Sequence, residues 1–133
     1  MGELVGNRAV EDAAIGYVLK LERDAGRAPS DSRYRGAPGD VDSPPRVIEV
    51  KAFGESCRGY GLLLEPRQID EARHNANFYV YVVENVRQGN PARFTVKVLH
   101  GQRLHRMLDR AVEHRYYEVP WPVADYDATP PGL

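Results

Sequence analysis

The run Phe78-Tyr-Val-Tyr-Val-Val83 limits the fold of this chain more than any other segment. Its β-branched and aromatic residues favour a strand, and it lacks the alternation of apolar and polar residues that marks a strand with one face in water. Strands of this kind lie at the centre of sheets that carry helices on both faces. The run therefore predicts the core strand of an α/β domain.

Helical and strand patterns flank this run along the chain. Apolar residues recur at helix spacing between residues 10 and 21, and a second helix is expected from Pro66 to Asn77 because proline suits a first helical turn. The other expected elements are short strands near 33–35, 62–64, 93–99 and 116–119, and a third helix burying Leu104, Met107, Leu108, Ala111 and Val112.

A hairpin is expected just before the second helix. Residues 47–53 are rich in β-branched and aromatic side chains, and the turn signal Ser43-Pro-Pro-Arg46 precedes them. Two prolines do not supply the positive φ angles that tight hairpin turns prefer, so we expect a wider loop of four residues, Ser43 to Arg46.

The hairpin brings charged residues onto one face of the sheet. If the turn is symmetric about the two prolines, paired residue numbers sum to 89, so Asp40 lies opposite Glu49. Side chains alternate along a strand, so Lys51 shares the face of Glu49 while Ile48 and Val50 point to the core.

Opposed carboxylates destabilise a sheet unless something neutralises them. A divalent cation would do so, because Mg²⁺ is commonly held by one or two carboxylates together with waters and substrate phosphate oxygens. The alternative is a solvated surface pair between Glu49 and Lys51, worth less than about 1 kcal/mol. Asp42 competes with Asp40 for the acidic position, since both lie on the same strand face.

Composition narrows the class of protein. The chain has 133 residues and a formal net charge of −1, which fits one domain and argues against a strongly basic coat for nucleic acid. We expect a single domain over residues 1–119 and a Pro-rich tail over 120–133. A basic surface is still expected between residues 86 and 115, formed by Arg87, Arg93, Lys97, Arg103, Arg106, Arg110 and Arg115.

Cys57 is the only cysteine, which excludes an intrachain disulfide and a multi-cysteine zinc site. The longest apolar run is too short to span a bilayer. We therefore expect a cytoplasmic protein with no membrane partner.

The order of these elements and motifs resembles the PD-(D/E)xK nuclease superfamily and, more narrowly, the NO VEIN C-terminal domain family. The resemblance covers about residues 4 to 119. It is carried by Gly6–Glu11, Asp40-Val41, Arg46–Lys51, Pro66-Arg-Gln68 with Ala72, and Tyr79–Val83.

The resemblance implies a restriction-endonuclease-like mixed central sheet flanked by helices, with an α-β-β-β-α-β core. It implies Asp40, Glu49 and Lys51 as the catalytic set, with Asp40 and Glu49 as ligands of Mg²⁺ or Mn²⁺. Glu11 on the first helix matches an accessory acidic residue. Gln68 stands where relatives commonly place a Glu, and a Gln there can still orient a water or a lysine by hydrogen bonding.

Two functions follow as hypotheses. The first is a metal-dependent endonuclease acting on DNA, as part of a defence, restriction or repair system. Its expected partners are a second copy, which would give a homodimer with two sites, or a helicase or targeting subunit in a larger complex. The second is a catalytically silent module of the same fold that binds nucleic acid or docks on a protein partner.

Overall fold

The computed structural model describes residues 2–132. It contains a five-stranded mixed sheet with helices on both faces, which confirms the predicted α/β class. The elements are α1 (Asn7–Asp24), β1 (Ser30–Asp31), β2 (Val41–Ser43), β3 (Arg46–Ala52), α2 (Pro66–His74), β4 (Phe78–Glu84), β5 (Thr95–Leu99), α3 (Gly101–Leu108) and α4 (Val123–Ala128).

Strand β4 is the most buried strand of the sheet, as its apolar run predicts. It pairs in parallel with β3 and antiparallel with β5, in the strand order β1-β2-β3-β4-β5. Its alternate side chains enter two separate cores. Tyr81 and Val83 join the core beneath α1, and Phe78, Val80 and Val82 join the core beneath α2 and α3.

The predicted hairpin register is confirmed. Val41 pairs with Ile48, Asp42 with Val47 and Ser43 with Arg46, so paired numbers sum to 89. The expectation of a four-residue loop is wrong, because Ser43 and Arg46 already pair and only Pro44 and Pro45 connect the strands. The peptide bond between the two prolines is cis, and a turn with a cis proline at its third position reverses the chain without positive φ angles.

The helices bury only part of the apolar residues that were predicted to face the core. In α1, Val10, Ala14 and Val18 are buried. Helix α2 ends at His74, before the predicted end at Asn77, and Ala76 beyond it is exposed. Helix α3 ends at Leu108, so Ala111 and Val112, which were expected to face the core, lie beyond it and are exposed. Met107 lies within α3 but is 43% exposed, although it was also expected to face the core.

Three of the short strands expected from the sequence do not form among residues 2–132: residues 33–35, 62–64 and 116–119 lie outside the sheet. Strand propensity alone does not make a strand, because a strand also needs a neighbour with free backbone groups. Residues 109–132 are exposed throughout, and the last buried residue of the described chain is Leu108. Within the described residues, no helix combines the length and the apolar character needed to cross a membrane.

Candidate functional site

The backbone of the hairpin positions Asp40 beside β3. The Asp40 N–H donates to the Ile48 carbonyl at 2.8 Å, and the Val50 N–H donates to Asp40 Oδ2 at 3.0 Å. Gly39 permits this close approach, since a Cβ there would stand 2.7 Å from the Ile48 oxygen. Asp40 lies just before the paired residues Val41–Ser43, and its carboxylate is fixed against β3, the strand that carries Glu49.

Glu49 and Lys51 lie two residues apart on the same face of β3. Lys51 Nζ is 2.9 Å from Glu49 Oε2, and Lys51 keeps part of its side chain exposed. The second oxygen, Glu49 Oε1, is buried and has no hydrogen-bond partner among the described residues. A buried carboxylate oxygen without a donor is costly, so this atom marks a place where a ligand would stabilise the protein.

The electrostatics of Glu49 follow from its surroundings. Burial raises the pKa of its carboxyl to about 7, and the nearby charge of Asp40 adds to the rise, while Lys51 opposes it. Glu49 is only 5% exposed. A carboxyl whose ionisation is opposed by burial and by a neighbouring carboxylate is characteristic of functional sites.

A cavity of about 550 Å³ opens beside this cluster. Asp40, Glu49 and Lys51 form one wall, and Arg87 lies at another. Arg87 occupies space that Gly54 leaves free, since a Cβ on Gly54 would stand 2.6 Å from the Arg87 guanidinium. Arg87 Nε also donates to Glu55 at 3.0 Å, so the guanidinium is held in place.

The predicted basic surface contributes only one of its members to this cavity. Arg87 lines it, whereas the other six basic residues are exposed elsewhere and line neither cavity at the site. Sequence reasoning placed Arg87 in a basic run but not at the carboxylates. The sequence signal for Arg87 at this cavity is Gly54, because any larger residue at position 54 would clash with the Arg87 side chain. That requirement arises only once the fold brings Arg87 against Gly54.

Glu11 on α1 also lines the cavity, and its carboxylate is engaged by an arginine. Arg33 Nη1 lies 3.3 Å from Glu11 Oε1 and 2.7 Å from Asp12 Oδ1, and the same guanidinium pairs with Asp31. The three acidic neighbours raise the pKa of Arg33, with Asp31 contributing most. Glu11 is therefore close to the predicted site but is held as a partner of Arg33.

Gln68 on α2 reaches the site from the opposite side. It lines a second cavity of about 290 Å³ together with Glu11, Asp40 and Glu49. Its amide oxygen accepts a hydrogen bond from the Glu65 N–H at 2.9 Å, which satisfies the start of α2. The structure thus brings all five predicted residues, Glu11, Asp40, Glu49, Lys51 and Gln68, to two adjoining cavities.

Asp42, the competing acidic residue, lies apart from this group. It pairs with Val47 in the hairpin, is exposed, and lines neither cavity. Among the carboxylates of β2 and its flank, Asp40 is the one that reaches Glu49.

The donor set suits a hard cation held mainly by water. Asp40 and Glu49 offer carboxylate oxygens, and Glu49 Oε1 has no hydrogen-bond partner in the part of the chain that the structure describes. Across residues 2–132 no group of three or more His, Cys, Asp or Glu side chains is arranged to hold a metal ion. Mg²⁺ is commonly bound through one or two carboxylates with several waters, and the pair fits that requirement.

The fold and the site together define a class of α/β domain in which a β-hairpin and its flank present two neighbouring carboxylates and a lysine beside a cavity. The sequence pattern gives the particular family. The family model described as Protein NO VEIN, C-terminal, matches residues 10–97, and the chain belongs to this family. The matched segment contains all five predicted site residues. No curated protein and no solved structure matches the chain.

Proposed function

We propose that this domain is a Mg²⁺- or Mn²⁺-dependent nuclease that hydrolyses phosphodiester bonds in DNA, in the cytoplasm. One observation carries the proposal: Asp40 and Glu49 are held together beside Lys51 at a cavity, with Glu49 Oε1 buried and unpartnered. Burial and the neighbouring charge of Asp40 raise the pKa of Glu49, which is the electrostatic condition that a bound cation relieves.

Asp40 and Glu49 are the residues that would hold the ion. When bound, a divalent ion supplies Lewis-acid stabilisation of phosphate charge and increases the acidity of a bound water. The Val50 N–H keeps Asp40 Oδ2 oriented, which leaves the other oxygen of that carboxylate for a ligand. Glu49 must be ionised to serve, and its deprotonation is favoured by Lys51 at 2.9 Å.

Lys51 and Arg87 provide the positive charge that phosphate recognition needs. Lys51 Nζ is positioned by Glu49 and remains partly exposed, so it can donate to a phosphate oxygen on which negative charge develops. Arg87 stands at the same cavity, and its planar guanidinium suits a phosphate of the DNA backbone. In this proposal Gln68 and Glu11 position the surroundings and do not touch the scissile phosphate.

The test is cleavage of supercoiled and linear DNA by the full chain with Mg²⁺, with Mn²⁺ and with a chelator. We expect cleavage only with metal, and a fall of about 10² to 10³-fold in Lys51→Met, as when one charge-stabilising donor is lost. Asp40→Asn and Glu49→Gln should abolish both cleavage and the heat of metal binding in calorimetry.

Asp42→Asn is the matched control, because it removes a carboxylate from the same strand face without touching the cavity. Its cleavage rate should equal that of the unmodified protein. Cleavage that survives Glu49→Gln, or that falls equally in Asp42→Asn, would contradict the assignment.

A second function is favoured by how the accessory residues are engaged. Glu11 is paired with Arg33, and the Gln68 oxygen caps α2, so neither is free to support a reaction. A silent module that binds nucleic acid would shift DNA in a gel with a strong salt dependence and leave it intact. If Asp40→Asn binds DNA as tightly as the unmodified protein does, and neither of the two cleaves it, the silent module is favoured over the nuclease.

A further inference from the structure

The segment after α3, residues 110–132, lies outside the body of the protein, and we call it the arm. Every residue of the arm is exposed. Its large apolar side chains are between 61% and 93% exposed: Val112, Tyr116, Tyr117, Val119, Trp121, Val123 and Tyr126. Soluble monomers rarely expose so much contiguous apolar surface, so the arm has the character of a surface buried in an assembly.

The backbone of the arm is also without partners. The N–H groups of residues 112–121 donate to no backbone carbonyl of the described chain. Residues 116–119 nevertheless have the aromatic and β-branched composition of a strand. An extended segment of this kind completes its hydrogen bonds by adding to the edge of a sheet.

The body offers such an edge at β5. This strand pairs with β4 on one side only and is the last strand of the sheet. Helix α1 packs mainly on β1 to β3, on the face of the sheet that also carries Tyr81 and Val83. Val98 is 39% exposed on that face. Beside it, Tyr79 stacks on His100 at 4.6 Å and carries the Arg46 guanidinium at 4.2 Å.

The charges of the two regions are complementary. Residues 93–108, which contain β5 and α3, carry four Lys or Arg and no Asp or Glu. Residues 116–132 of the arm carry Glu118, Asp125 and Asp127 and no Lys or Arg. Opposite charge on the two surfaces favours their encounter and opposes pairing of one arm with another.

The area is sufficient for a stable dimer. A buried aromatic side chain removes roughly 150 to 250 Å² from water, so four such side chains in an arm account for roughly 600 to 1,000 Å². Two arms in a symmetric pair therefore exceed the roughly 1,000 Å² that a specific interface needs, before the partner surface is counted.

We infer that the arm of one copy docks on the β5 edge and the adjoining Tyr79 and Val98 surface of a second copy. Exchange of arms about a two-fold axis gives a closed homodimer in which each copy donates one arm and receives one. The acidic residues of the arm then lie against the basic stretch that contains β5.

Trp121 reports on the proposed contact, because it is the only tryptophan of the chain and lies in the arm. Burial of Trp121 should move its emission to shorter wavelength as the full-length protein is concentrated. Light scattering on the same samples should give twice the mass of one chain. A monomer at every concentration, with emission typical of an exposed indole, would overturn the proposal and leave the arm for a different partner.

Variants separate the two halves of the contact. Trp121→Ala damages the arm and Val98→Asp damages the receiving surface, and each should raise the dissociation constant of the dimer at least about tenfold. Leu63→Ala is the control, since Leu63 is 79% exposed but lies in neither region. Circular dichroism should show unchanged secondary structure in all three variants.

Mixing the two damaged variants gives the sharpest result. A heterodimer of Trp121→Ala with Val98→Asp contains one contact in which both sides are damaged and one in which both are intact. Dimer should therefore reappear in the mixture at concentrations at which neither variant forms it alone. If arms instead paired with arms, Val98→Asp would dimerise by itself as the unmodified protein does, and that result would overturn the proposed surface.

Discussion

Glu22 and Glu49 are both almost completely buried, at 2% and 5% exposure, but they have opposite surroundings. Glu22 accepts hydrogen bonds from Arg27, from the Ser43 hydroxyl at 3.0 Å and from the Tyr81 hydroxyl at 2.8 Å. Glu49 has Lys51 as its donor, faces the charge of Asp40, and keeps one oxygen without a partner.

The pKa values express this difference. Burial raises the pKa of Glu22, but the hydrogen bonds from Arg27, Tyr81 and Ser43 outweigh it, and the net pKa is lowered. The pKa of Glu49 is raised to about 7, because burial and Asp40 act together. A buried acid with all its partners stabilises the fold, whereas a buried acid that lacks them indicates a site that binds something.

The largest expected effect separates the two acids by stability. Glu22→Gln should lower the free energy of unfolding by about 3 kcal/mol, because it leaves the Arg27 charge unpaired beside the core. Glu49→Gln should change it by less than about 1 kcal/mol or increase it, since it removes repulsion with Asp40. Urea unfolding at pH 7.5 measures both. Equal losses would mean that both acids are structural.

The next effect is a pH dependence that belongs to Glu49. Its pKa is raised on folding, so the folded state binds the proton more tightly between about pH 4.5 and about pH 7. Stability should therefore rise as the pH falls through this window, by about 1 to 3 kcal/mol. The groups facing Glu49 are Asp40 and Lys51.

Urea midpoints at pH 8 and pH 5 measure this pH dependence of stability. It should be present in the unmodified protein and absent from Glu49→Gln. The contribution of Glu22 has the opposite sign. Because its pKa is lowered on folding, that stability is present above pH 4.5 and is lost only as the pH falls through the lower folded value. A Glu49→Gln variant with the same pH slope as the unmodified protein would refute the assignment.

A smaller effect should come from added metal. Mg²⁺ at ten times its dissociation constant should stabilise the folded protein by about 1.4 kcal/mol, because it binds the folded state alone. Thermal unfolding with and without Mg²⁺ measures the gain. Asp42→Asn should keep it and Asp40→Asn should lose it. A gain that persists in Asp40→Asn would place the ion elsewhere.

The smallest expected effect is that of Glu11→Gln. Glu11 lines the cavity as Glu49 does, but its carboxylate is partly exposed, and Arg33 keeps Asp12 and Asp31 as partners. Stability should change by less than about 0.5 kcal/mol, as for other exposed ion pairs, and the Mg²⁺ stabilisation should remain. A loss as large as that of Glu49→Gln would show that Glu11 belongs to the carboxylate pair.

Local sequence patterns predicted much of the fold because its central features are encoded locally. The unbroken apolar run of β4 required cover on both faces, and the two prolines between β2 and β3 fixed the register that sums to 89. The strand predictions that were wrong concern segments whose structure depends on neighbouring strands. Residues 116–119 have strand composition but no strand lies beside them within residues 2–132.

The sequence by itself predicted that Asp40, Glu49 and Lys51 share one face of a hairpin, from the alternation along a strand and a turn symmetric about the two prolines. Only the tertiary structure decided that Glu49 is buried beside Asp40 with an unpartnered oxygen, that Arg87 stands over Gly54, and that Arg33 holds Glu11. These facts depend on contacts between residues far apart in the chain, and burial and charge act through space rather than along the sequence.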